Sequence, residues 1–101
     1  MYNVHMKISF IWDEEKALIN LKKHKVSFEE AKTIFFSFPL EIFFDPENSL
    51  NEDRYIAFGY SAQGRVLMVV HMENTKGTEI RIISARKATK SEEKSVFGGK
   101  K

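Results

Sequence analysis

Arg65-Val66-Leu67-Met68-Val69-Val70-His71-Met72 and Thr78-Glu79-Ile80-Arg81-Ile82-Ile83-Ser84-Ala85 decide the fold. Both runs are rich in Val, Ile and Leu, the residues that suit a pleated, half-buried surface. Five residues, Glu73–Gly77, separate them. So short a connection allows only an antiparallel hairpin. Upstream, Tyr55–Tyr60 reads as a further strand, joined to Arg65–Met72 by the turn Ser61-Ala62-Gln63-Gly64. Leu40–Phe44, closed by Asp45-Pro46, is another, and residues 46–53 are polar and loop-like. The second half therefore predicts an antiparallel meander.

The first half reads as helix. Ile8–Trp12 is a short strand, after which Asp13 stands at an N-cap position with Glu14 and Glu15 behind it. Ala17, Leu18 and Leu21 fall at helical spacing, and Lys22, Lys23, His24 and Lys25 bring positive charge to the C-terminal end. Ser27-Phe28-Glu29-Glu30 has the form of a capping box, with Val26 and Ala31 at the staple positions. Pro39 disfavours a helical Phe38 and so limits this second helix. Thr89-Lys90-Ser91-Glu92 is another capping box, opening a short helix to Phe97 that Gly98-Gly99 ends. The expected class is α+β: a small antiparallel sheet, two N-terminal helices and one C-terminal helix, with residues 1–101 as a single domain.

Composition narrows the chemistry. The chain has 101 residues and no Cys, so a disulfide scaffold, a Cys-ligated zinc and a thiol nucleophile are excluded. His5, His24 and His71 lack metal-ligand spacing, and no phosphate-loop, dinucleotide or zinc-protease motif occurs. No metal or cofactor is expected. No apolar run reaches the ~18–20 residues of a membrane span, and the N-terminus has no signal-peptide pattern. A cytoplasmic location is expected.

Charge is polarised. Residues 1–53 carry six Lys and ten acidic residues, net −4, whereas residues 54–101 carry ten basic and four acidic residues, net +6. All four arginines, Arg54, Arg65, Arg81 and Arg86, lie in that second half. The planar guanidinium grips phosphate bidentately, so the imbalance suggests an anionic partner. Alternation puts Arg65, Leu67, Val69 and His71 on one face of their strand, and Arg81, Ile83 and Ala85 on one face of the next. If the hairpin register aligns those faces, Arg65, His71 and Arg81 converge. Cleavage of RNA by its own 2′-hydroxyl asks for such groups: arginine against phosphorane charge and histidine to move protons. Each residue also has a structural alternative. Arg81 suits a solvated sheet face, His71 a packed strand, Arg86 an ion pair with Glu92 or Glu93, His24 a helix end, and Glu92 the cap at Thr89.

The sequence resembles the BrnT (DUF497) family of toxins. The resemblance rests on Phe10-Ile11-Trp12-Asp13, Lys16, Asn20, Lys23-His24, Val26 to Ala31 and Phe35, then Asp53-Arg54, Gly59, Ser61 and Gly64-Arg65. Ile80-Arg81-Ile82-Ile83-Ser84-Ala85-Arg86-Lys87-Ala88 is its most specific run. It implies a RelE-like fold and a metal-independent ribonuclease that arrests translation. It further implies neutralisation by a BrnA-type antitoxin, through which the complex reaches operator DNA. By position, Arg65, Arg81 and Arg86 match the family's basic site motifs. With His71 they form the expected catalytic set, while Arg54, Lys87 and Lys90 are expected to bind RNA. Glu93 matches the family's acidic position in the last helix only approximately. Phe97 stands where family members commonly carry Tyr, and it can neither transfer a proton nor hydrogen-bond a phosphate. The alternative is a catalytically weakened chain that serves as antitoxin partner and operon co-repressor.

Overall fold

The computed structural model describes residues 7–49 and 52–98. The readings made at His5, at the N-terminal segment and at Gly99 lie outside them. The elements run β1 (Ser9–Ile11), α1 (Glu14–His24), α2 (Phe28–Lys32), β2 (Leu40–Phe44), β3 (Arg54–Tyr60), β4 (Val66–Glu73), β5 (Glu79–Lys87) and α3 (Lys90–Glu93). A 3-10 turn, Thr33–Phe36, extends α2, and a wide turn, Lys94–Gly98, extends α3.

The caps form where the sequence puts them. Asp13 accepts from the N–H groups of Glu15 and Lys16 at 2.9 and 3.1 Å, and Ser27 Oγ accepts from Glu30 N at 3.0 Å. At α3 the capping box is complete, with Thr89 Oγ1 and the Glu92 carboxylate each accepting from the other's backbone. Thr33–Phe36 lies close over β3. A Cβ on Gly59 would meet Ile34 Cβ at 3.1 Å and Leu40 Cδ1 at 3.2 Å, so only glycine fits this approach without displacement.

Five strands make one sheet in the order β1-β5-β4-β3-β2. The expected antiparallel pairing holds from β2 to β5 and fails at β1, which runs parallel to β5. Short loops impose antiparallel neighbours on β2–β5. No loop joins β1 to β5, so no hairpin constrains its direction. Beyond Arg81, the edge of β5 is left by β1 and taken over by Asn20 of α1. Its Nδ2 donates to Ala85 O at 2.8 Å and its Oδ1 accepts from Ala85 N at 3.1 Å, as a neighbouring strand would. The same Nδ2 donates to Val26 O, so the buried amide also ties the α1–α2 loop to the sheet.

The core lies between the helices and one sheet face. Val26, Phe28, Ala31, Ile34 and Phe35 pack on Ala57, Leu67, Val69, Ile80, Ile82 and Ala85. Each large side chain buried there is worth about 1.5–3 kcal/mol.

Candidate active site

A bulge in β5 settles which side chains share a face. Val70 opposes Ser84 and His71 opposes Ile82, leaving Ile83 as the extra residue. Strict alternation would group Arg81, Ile83 and Ala85. The extra residue shifts the parity instead, so Ala85 joins Ile80 and Ile82 in the core. Arg86, five positions from Arg81, then returns to Arg81's face. Arg81 opposes Met72 and Arg86 opposes Met68, four residues apart on β4. Arg54 opposes Met72 from β3. Three of the four arginines thus lie on the sheet face away from the core.

The expected convergence of Arg65, His71 and Arg81 does not occur. His71 opposes Ile82, on the core face, and is fully buried. Its ring stacks on Tyr55 at 5.6 Å and meets Phe35 edge-on at 4.9 Å. Nε2 lies 2.8 Å from Glu73 Oε2. A carboxylate accepts, so Nε2 carries the proton, and the buried Nδ1 has no partner among the described residues.

Arg65 is held on the helix side of the hairpin. Its Nε and one amino group donate to both oxygens of the buried Glu30, and that amino group also donates to Lys25 O at 3.1 Å. Ser61 Oγ donates to Glu30 Oε2 at 2.7 Å. The expected capping box at α2 is therefore half formed: Ser27 caps, but the Glu30 side chain turns to Arg65 and Ser61. The Arg65 hydrogen bond holds the Glu30 carboxyl below its usual range against the opposing effect of burial. Glu30 in turn raises the Arg65 guanidinium. This clamp fastens α2 to the β3–β4 turn, where Gly64 takes a positive φ of 84°.

Arg86 is clamped too. Its two amino groups reach Glu92 at 2.9 and 2.8 Å, and one donates to Lys87 O. The Arg86 bonds, helped by Thr89 N–H, pull the Glu92 carboxyl down to about 2. The pair joins α3 to β5.

Arg81 stands in the open. Its side chain is 48% exposed and lies 3.8 Å from Glu52, a surface pair worth little in water. It lines a cleft of about 500 Å³ at the β4–β5 turn, together with Ile11, Met72, Glu52, Asp53, Glu73 and Glu79. Glu73 ends β4 and belongs by alternation to His71's side, yet it also lines this cleft. It therefore hydrogen-bonds buried His71 and lines the same cleft as exposed Arg81. Burial, with Asp53 and Glu73 nearby, raises the Tyr55 phenol behind it.

The other expected residues spread along the sheet. Arg54 is half-buried, with Nε lacking a partner among the described residues. Lys87 and Lys90 are exposed at the far end of β5 and the start of α3. His24 lies in a groove with Lys16, Lys23 and Ser84. Phe97 packs on Tyr60, ring centroids 5.7 Å apart, above α3. Among the described residues no three His, Asp or Glu are placed to hold a metal ion, and no helix is long and apolar enough to cross a membrane.

A family model described as "Ribonuclease toxin, BrnT, of type II toxin-antitoxin system" matches residues 12–92. The chain belongs to the BrnT family. Membership carries the family's general character: a ribonuclease toxin, with RNA as substrate and an antitoxin as partner. The fold agrees. The 1.1 Å crystal structure of the Brucella abortus ribonuclease toxin BrnT matches with a TM-score of 0.60 at 24% identity, over 84% of this chain and 99% of that one. No curated protein matches. The matched BrnT segment includes both glutamate clamps and every residue of the Arg81 cleft except Ile11. Glu73 and Glu30 escaped sequence reading, because one sits in an expected turn and the other fits a capping box. The His71-x-Glu73 spacing, two residues on one strand face, was the available signal for the first.

Proposed function

We propose that this chain cleaves RNA in the cleft shared by Arg81 and Glu73, with the ribose 2′-hydroxyl as nucleophile. The carrying observation is that the one open arginine and a histidine-anchored carboxylate line the same cleft. Glu73 accepts the 2′-hydroxyl proton while the 2′-oxygen bonds to phosphorus. The bond from phosphorus to the 5′-oxygen breaks, leaving a 2′,3′-cyclic phosphate and a 5′-oxygen that takes up a proton from water. Arg81 offsets the charge that builds on the phosphorane oxygens. His71 acts through Glu73, fixing its orientation from behind, and so is a positioning residue. Arg65 and Arg86 support the site by holding α2 and α3 to the sheet.

These groups supply both charge stabilisation and proton transfer, so the proposed cleavage is metal-independent. The reading extends to a RelE-like architecture, translation arrest in the cytoplasm, and neutralisation by a BrnA-type antitoxin that carries the complex to operator DNA. Purified protein incubated with RNA oligonucleotides in excess EDTA tests the chemistry. Full-rate cleavage giving cyclic phosphate ends, with no cleavage of 2′-O-methyl RNA, is expected. A rate that falls in EDTA and returns with a divalent cation overturns the metal-independent mechanism.

A second reading, a binding module that serves as antitoxin partner and co-repressor, draws on the two clamped arginines and on Phe97. Induced expression without antitoxin separates them: growth arrest with RNA decay supports the enzyme, and normal growth the module.

A further inference from the structure

The Arg81 cleft is poorly charged for the work proposed for it. Glu52, Asp53, Glu73 and Glu79 face a single arginine there. A phosphodiester is not drawn to such a site by charge, so the energy that holds RNA has to come from elsewhere on the molecule. A second cleft, of about 390 Å³, lies at the opposite end of the strands, lined by Tyr60, Phe97, Lys90, Lys94, Glu93 and Gly98. The register places it on the same side as Arg81 and Arg86. Tyr60 opposes Val66, and Val66, Met68 and Met72 alternate onto one face of β4. From Met72 to Val66 is about 20 Å along the strand, within reach of a few nucleotides.

The geometry points to a nucleobase subsite in this second cleft, which anchors the RNA strand that the Arg81 cleft cuts. The inference rests on the ribonuclease reading above. Tyr60 and Phe97 offer adjoining aromatic faces, tilted 33° to each other, with Tyr60 39% exposed. Aromatic faces of this kind hold unstacked bases. Lys90 and Lys94 lie one helical turn apart beside the rings and suit the flanking phosphates. Glu93 lies between them in sequence. A carboxylate there repels phosphate and only accepts hydrogen bonds, so it favours a base with an exocyclic amino group over uracil, whose single N3–H donor lies between two carbonyl oxygens that repel the carboxylate. Phe97 thus has a use that needs no hydroxyl.

The test is binding of fluorescently labelled, fully 2′-O-methylated oligoadenylate and oligouridylate, which cannot be cleaved. Phe97→Ala is expected to weaken oligoadenylate binding roughly 5- to 150-fold. Phe97→Trp keeps an aromatic face, so it should bind like the unaltered protein, with indole emission quenched by the base beyond any change at Trp12. That signal stands even if Phe97→Ala proves unfolded by thermal melting. Glu93→Gln, whose amide can also donate, should reduce the preference for adenine over uracil. Unchanged binding by folded Phe97→Ala, or unquenched Phe97→Trp, overturns the subsite while leaving the Arg81 reading intact. Weakened antitoxin binding with unchanged RNA binding assigns the cleft to a protein partner and also overturns it. No RNA binding by the unaltered protein overturns both readings, whereas RNA binding with undiminished cleavage by folded Arg81→Ala overturns the Arg81 reading alone.

Discussion

The two faces of the sheet use the same residue types for opposite ends. On the helix-covered face, Arg65 meets Glu30, whose side chain is 3% exposed, and His71 is sealed between Tyr55 and Phe35. On the open face, the one ion pair Arg81 makes among the described residues is with an exposed Glu52 at 3.8 Å. A guanidinium already gripping a buried carboxylate is held in place by the desolvation cost of separating them. One at the surface gives up little when it turns to a phosphate. The number of arginines therefore says less about function than the exposure of their partners. Arg86 lies between these limits: its face is open, but Glu92 occupies both its amino groups.

The contrast can be broken most directly at Arg65. Arg65→Ala strands the Glu30 carboxylate in a buried place and should cost about 3–5 kcal/mol in urea unfolding. Loss of activity in that variant should follow loss of fold. Arg81→Ala should do the reverse: RNA cleavage falls by about 10²–10³, with the melting temperature unchanged. Folded Arg81→Ala with full activity would remove the proposed site. Smaller effects sharpen the picture. His71→Phe keeps the aromatic packing but removes the Nε2–H donor to Glu73, so it should reshape the acid limb of the pH–rate profile rather than destroy the fold.

Acid should loosen both clamps. Glu30 and Glu92 have folded-state pKa values below their usual 4.5, so their stabilisation is fully present above that pH and is lost as pH falls through the folded values. For Glu92 the window runs from 4.5 down to about 2. Denaturation midpoints measured across that range should decline, and Glu92→Gln should flatten the decline. Smallest of all, Thr89→Ala should cost about 1 kcal/mol by uncapping α3. A larger loss would show that α3 carries more of the fold than its one turn suggests.

Much of the architecture was legible in the chain. Hydrophobic runs with short turns dictated β3–β4–β5, and Asp13, Ser27 and Thr89 announced three helix starts, because local hydrogen bonds and strand alternation act over a few residues. Composition alone barred thiol and disulfide chemistry, and charge order alone put every arginine in one half. Tertiary structure decided the rest. The parallel pairing of β1 depends on where a strand arrives after two helices. That Arg86 shares a face with Arg81, and Ala85 with the core, depends on Ile83, one unpaired residue that reverses strand parity and that alternation cannot foresee. The convergence of Glu73 with Arg81 required the β4–β5 turn to close. Sequence fixes which groups a strand offers; only packing and register determine which of them water, or RNA, can reach.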